Sequence, residues 1–157
     1  MKKEGKNVVN YEFVDLGLSV QWANMNVGAE KVEDFGKYYS WDEVINSKNV
    51  DWEEDGRMPS KEEIDELISK CEWEWKEESG VKGFKVKSKV NKNWIFLPAG
   101  GCKNDAGINF VGISGYYLSN SMGKGKLRGA IELVISRSYK GTYLAGTQYK
   151  RSVRLVK

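Results

Sequence analysis

Residues 56–78, GRMPSKEEIDELISKCEWEWKEE, decide how the chain reads. Ser60 followed three residues later by Glu63 is a capping box, in which each side chain satisfies a backbone N–H left free at a helix start. Ile64, Leu67, Ile68 and Cys71 then recur at i, i+3, i+4 and i+7, the spacing of one buried helix face. Asp65 and Glu66 fall on the watered side. This predicts a helix over about 60–71. The period then drops to two. Trp73 and Trp75 alternate with acids over 71–78, as in a half-buried strand.

Working outward, Gly80 and Gly83 turn the chain, and FKVKSKV (84–90) alternates strictly, with Phe84, Val86 and Val90 on one face. Lys82, Lys85, Lys87, Lys89 and Lys92 take the other face, where lysines also discourage edge-to-edge pairing. A turn at 91–93 leads into WIFLPA (94–99), an apolar strand ended by Pro98. The helix is expected to lay Ile64, Leu67 and Ile68 on the sheet that carries Trp94 and Phe96. Upstream, YEFVDLGLSVQWAN reads as strand, turn at Gly17, strand. Gly28 and Gly36 mark turns, with a second short helix expected near 30–35. Tyr38, Tyr39 and Trp41 should pack inward, and 46–56 is loop. Downstream, 100–115 reads as a glycine-rich loop, 115–121 and 130–136 as strands, 122–129 as a Gly/Lys loop, and 152–156 as a closing strand. The expected sum is seven to nine strands and one or two helices. Residues 1–10 form a flexible N-terminal segment and 11–157 a single domain.

The chain has 157 residues, 40% apolar and 30% charged, with 17 Gly and 2 Pro, as expected of a turn-rich globular fold. Histidine is absent, which removes Ser-His-Asp and Cys-His catalysis and any His-ligated zinc. The two cysteines, Cys71 and Cys102, are too few for a structural thiolate site. A single disulfide and two free buried thiols both remain open. No phosphate-binding glycine loop, nucleophile elbow or EF-hand is present. Adjacent acids such as Glu53/Glu54, Glu62/Glu63 and Glu77/Glu78 point apart on a strand or helix, so they suit solvated charge better than a glycosidase pair. Arg57 reads as a structural residue that satisfies loop carbonyls or a buried acid. Nothing in the residues supports catalysis, and no cofactor or metal is expected.

Charge is divided along the chain. Residues 51–80 hold 4 basic and 12 acidic side chains, net −8; residues 81–157 hold 15 basic and 2 acidic, net +13. A basic half folded against an acidic one accounts for this better than a nucleic-acid face, since lysines outnumber arginines 20 to 5 and phosphate forks favour Arg. The charged start MKKEGKNVVNYEF is followed by no apolar run, so no signal segment or membrane insertion is expected.

FVDLGLSVQWANMNVGA, FGKYYSWDEV, GRMPSKEEIDELISKCEWEW, GVKGFKVKSK, IFLPAGG, GYYLSNS and SVRLV, in this order, resemble the Fibrobacter succinogenes major paralogous domain of Bacteroidetes and their phages. The resemblance runs from about Tyr11 to Val156. It implies an α+β, C-type-lectin-like fold: mostly antiparallel sheet, one or two helices, long loops, and a last strand paired with the first near 13–16. It further implies a non-enzymatic binding or structural module. A phage-encoded virion component comes first, as a fibre, decoration or receptor-binding appendage. A secreted bacterial adhesin is the alternative, and a formylglycine-generating-type enzyme a remote one. Expected partners are a protein or glycan on a host surface, or neighbouring virion subunits, in a homo-oligomer or not. The expected location is the virion, or the cytoplasm before assembly, with the cell surface as the alternative. The calcium motifs of sugar-binding lectins are missing. The loops 102–114, 119–129 and 137–151 would carry the binding residues Asn104, Asn109, Asn120, Tyr139, Tyr143, Gln148 and Tyr149, beside Lys124, Lys126, Lys140 and Lys150.

Overall fold

The computed structural model describes residues 11–45, 52, 56–124 and 129–157. The expected flexible segment 1–10, most of the 46–56 loop and part of the 122–129 loop, Lys126 included, lie outside the described residues. In chain order the elements are β1 (Phe13–Val14), β2 (Trp22–Ala23), β3 (Tyr39–Ser40), α1 (Trp41–Ile45), α2 (Lys61–Lys70), β4 (Cys71–Glu78), β5 (Val81–Ser88), β6 (Trp94–Pro98), β7 (Cys102–Asn104), β8 (Gly107–Asn109), β9 (Ser114–Met122), β10 (Ala130–Ser136), β11 (Tyr139–Ala145) and β12 (Lys150–Arg151). The strands form four small sheets, β1-β2, β11-β10-β9, β3-β12-β7-β8 and β4-β5-β6, and every ladder between them is antiparallel. The chain is therefore α+β. No helix among the described residues is long and apolar enough to cross a membrane.

The capping box forms as read. Ser60 Oγ accepts from the Glu63 N–H at 3.2 Å, and the Glu63 carboxylate accepts from the Ser60 N–H at 2.8 Å. Arg57 grips the same carboxylate with both terminal nitrogens, at 2.8 and 2.7 Å. Ile64 and Leu67 are fully buried. Cys71 ends the helix in an extended conformation and opens β4, so the change of period in the sequence is a change of element at one residue.

Pairing corrects which face of β6 the helix meets. Val86 stands opposite Ile95 and Phe84 opposite Leu97. Ile95 and Leu97 therefore share the inner face with Ile64 and Leu67, in a cluster that also takes Leu133, Ile135 and Tyr117 from the β9–β10–β11 sheet. Phe96 is buried on the opposite side, and Trp94 is 42% exposed with Lys85 Nζ 4.7 Å over its ring. Val90 does not join Phe84 and Val86. β5 stops at Ser88, whose hydroxyl accepts from the N–H groups of Val90 and Asn91, and the turn throws Val90 into solvent.

Three further expectations change, and the choice left open at the cysteines is settled. The second helix lies at 41–45. At 30–35 the Asp34 carboxylate accepts from the N–H groups of Glu30 and Lys31 and closes turns between Gly28 and Gly36, both at positive φ. The segment 100–115 holds the β7–β8 hairpin. Gly101, at φ 66°, permits it, because a Cβ there would run into the Asn109 carbonyl. Such two- and three-residue strands raise the count to twelve among the described residues. Both cysteines are free, Cys71 buried and Cys102 only half-buried.

The carboxy-terminal segment is not a strand beside 13–16. It inserts residue by residue between distant parts of the chain. Gln21 and Lys157 exchange N–H···O bonds at 3.0 Å, the Ala23 N–H reaches the Leu155 carbonyl at 2.9 Å, and the Val27 N–H reaches the Val153 carbonyl at 2.9 Å. Val156 and Arg57 exchange two more bonds, and Ser152 bonds to Tyr116 and Leu118. Residues 152–156 are all buried. The reason is Arg154, 1% exposed: it donates to Asn26 Oδ1 (2.8 Å), the Ala23 carbonyl (3.0 Å) and the Phe96 carbonyl (2.6 Å). Asn26 in turn donates to the Phe35 carbonyl, and Tyr117 to the Pro98 carbonyl at 2.7 Å. Burial drives the Arg154 pKa down to about 10 and that of Tyr117 up to about 12, the direction expected when a low-dielectric interior disfavours charge.

Candidate functional site

One face of the β9–β10–β11 sheet packs into the core. The register assigns the other face. Tyr116 stands opposite Val134, Val134 opposite Gly141, Glu132 opposite Tyr143, and Ser136 opposite Tyr139. Because side chains alternate along a strand, Tyr116, Glu132, Tyr139 and Tyr143 share the other face, with Glu132 buried and Tyr139 and Tyr143 exposed at its edge. Tyr139 and Tyr143 sit 5.4 Å apart, ring centre to ring centre, tilted by 36°. Gly141 between them leaves room for this; a Cβ there would strike the Tyr139 hydroxyl. The hydrogen bond with Tyr143 holds the Tyr139 phenol above its ordinary pKa.

Glu132 is a lone acid in an apolar strand, 3% exposed. Its partner is Arg151 of β12, whose Nε lies 2.7 Å from Glu132 Oε2. Burial raises the Glu132 pKa, and the Arg151 bond opposes it. The guanidinium is held between two rings, 4.7 Å from the centre of Tyr116 and 5.3 Å from that of Tyr149. Arg151 thus joins the sheet to the β11–β12 connection. That connection is fastened to α1 as well: Thr147 Oγ1 donates to Asp42 Oδ2 at 2.9 Å, and Lys150 Nζ lies 2.8 Å from Glu43 Oε1. Tyr139, Tyr143 and Tyr149 remain 39%, 54% and 50% exposed. A surface of large rings on a fixed frame offers contact area at small entropic cost.

The seven residues expected in loops fall in three places. Tyr139, Tyr143, Gln148 and Tyr149 belong to this face or its bordering turn, the first two on a strand instead of a loop. Asn104 and Asn109 sit on the β7–β8 hairpin. Asn104 Oδ1 accepts from the Ala106 N–H, and Asn109 Nδ2 donates to the Gly107 carbonyl, so both shape that turn. Asn120 lies on β9, where its side chain donates to the Met58 carbonyl and its N–H to the Pro59 carbonyl ahead of α2. Sequence reasoning missed Tyr116, Glu132 and Arg151. The signal was the solitary Glu132 in AIELVIS, which needs a cation once the strand is buried.

Among the described residues, no group of three His, Cys, Asp or Glu side chains is arranged to hold a metal ion. Comparison with protein-family models, curated proteins and solved structures found no match.

Proposed function

We propose that the chain is a non-enzymatic, lectin-like binding module of the Fibrobacter succinogenes major paralogous domain type, serving as a phage virion component. It engages a host-surface molecule or a neighbouring subunit through the tyrosine face. The observation that carries this reading is the cluster of Tyr139, Tyr143 and Tyr149, exposed yet fixed by Gly141, Glu132 and Arg151. Aromatic anchors on a rigid support are the usual centres of binding energy at protein interfaces. Glu132, buried and hydrogen-bonded to Arg151, is taken as support for the frame.

The test compares two sets of alanine variants for adsorption to host cells and incorporation into virions. Substituting Tyr139, Tyr143 and Tyr149 should weaken binding at least about tenfold. Substituting Glu62 and Asp65, on the outer face of α2, should leave it unchanged. Loss confined to the helix set would place the functional face elsewhere.

A further inference from the structure

A second surface, built from other side chains, lies where the β4–β5 hairpin, the 110–113 turn and the β10–β11 turn meet. Two hollows adjoin there. One, of about 440 Å³, is lined by Trp75, Ile113, Lys82 and Arg137, with Lys76 and Glu77; the other, of about 250 Å³, by Phe35, Val81 and Val111. They share Lys82, Gly112 and Ile113, and so form one groove. Its size suits side chains of a ligand better than a bulk surface contact.

Three features make this groove unlike an ordinary stretch of surface. Apolar side chains crowd beside it in water: Ile113 is 64% exposed, Phe110 54% and Val111 47%. They are held out by a fixed turn. The Ile113 and Ser114 N–H groups both donate to the Phe110 carbonyl, the Gly112 N–H donates to the Ala99 carbonyl, and Phe110 itself is kept at φ 66°. A bulky residue in the left-handed region costs free energy, which the surrounding bonds must offset. Finally, the side chains of Lys82 and Arg137 make no hydrogen bond or ion pair among the described residues, whereas that of Lys76 is engaged by Glu78 at 3.0 Å. The rim therefore carries two available cations against one acid, Glu77.

We infer that this groove binds an extended peptide segment of a partner protein in which acidic residues flank aliphatic or aromatic ones. The apolar walls on either side of Ile113 would take two side chains of the segment, and Lys82 and Arg137 its carboxylates. Arg137 can grip a carboxylate with two parallel N–H donors. Aliphatic walls favour peptide side chains over sugar hydroxyls, and Glu77 on the wall disfavours a dense polyphosphate. The inference stands apart from the tyrosine face, since it uses none of Tyr139, Tyr143 or Tyr149.

The experiment pans a random 12-residue peptide library, displayed on phage, against the full chain. Enriched peptides are synthesised with a fluorophore and measured by anisotropy. Enrichment of Asp or Glu beside Leu, Ile, Phe or Trp is expected. The double variant Lys82→Glu/Arg137→Glu and the variant Ile113→Ser should each weaken binding by roughly tenfold or more. All three positions are exposed. Lys82→Glu would face Glu77 across the ladder and lower the melt slightly. Lys82→Gln/Arg137→Gln, whose circular dichroism melt should match the parent, is therefore run beside it and should also weaken binding. Tyr139→Ala/Tyr143→Ala should bind the peptide within about twofold of the parent. The inference is overturned if no peptide is enriched, if the enriched ones are basic, or if charge reversal leaves binding intact. It is equally overturned if only the tyrosine variant loses the peptide, or if light scattering shows a dimer that charge reversal dissolves.

Discussion

The β4–β5–β6 meander and residues 152–156 both enter the core, but by opposite means. β4 and β5 face each other through eight consecutive residue pairs, Cys71 with Ser88 to Glu78 with Val81, across a two-residue turn. Every ladder pair there joins residues no more than 17 apart in sequence. The carboxy-terminal segment has no such ladder. It makes single bridges to residues 22, 57 and 117, and its centre is a guanidinium bonded to residues 23, 26 and 96. The first region closes short loops at small entropic cost; the second ties ends more than a hundred residues apart and needs strong, directional bonds to hold them. One is a patterned apolar face, the other a polar knot inside the core.

The sharpest way to break this contrast is Arg154→Met. It keeps much of the volume but leaves the Ala23 and Phe96 carbonyls and the Asn26 amide oxygen without their donor. A loss of about 3–5 kcal/mol is expected in urea unfolding, because buried groups stripped of a charged partner bear the full desolvation cost. A loss below about 1 kcal/mol would mean that the apolar neighbours Val153 and Leu155 hold the end unaided. Leu67→Ala tests the other side. It empties a fully buried site between the two sheets and should cost about 2–4 kcal/mol by the same measurement. No shift would show that the helix face is not core.

The smallest effect concerns Glu63, at the start of the patterned region. Arg57 hydrogen bonds, with the Ser60 N–H, hold its carboxyl below the usual carboxylate range. A depressed folded-state pKa adds stability above the unfolded value near 4.3, and that contribution disappears as pH falls through the folded value. Glu63→Gln should therefore lower stability by about 1 kcal/mol at neutral pH and flatten the acid limb of the stability curve below about pH 4. An acid limb of unchanged steepness would assign it to other carboxylates.

The same contrast explains what could be read from the sequence. α2 and β4 are legible because spacing alone marks their faces. In WIFLP it does not: four of its five residues are large and apolar, so the partner strand decides that Ile95 and Leu97, not Trp94 and Phe96, face inward. Arg154 sits among Ser152 and Val156 like an outward residue, and only its three acceptors, each distant in sequence, reveal it as interior. The tyrosines are legible as surface groups by type. Their arrangement was hidden, because Glu132 and Arg151 meet through tertiary pairing and Asn120 is spent on a loop nothing nearby foretells.

The β11–β12 connection is fastened on both sides of Gln148 and Tyr149, by Thr147 to Asp42 and by Lys150 and Arg151 to Glu43 and Glu132. Gln148 projects into solvent, and Tyr149 is half exposed with its ring beside Arg151. Exchanging these two residues for others changes what the surface displays while the backbone beneath stays anchored. The chain thus offers a diversification site, where a small randomised library at 148 and 149 would explore new specificities without re-solving the fold.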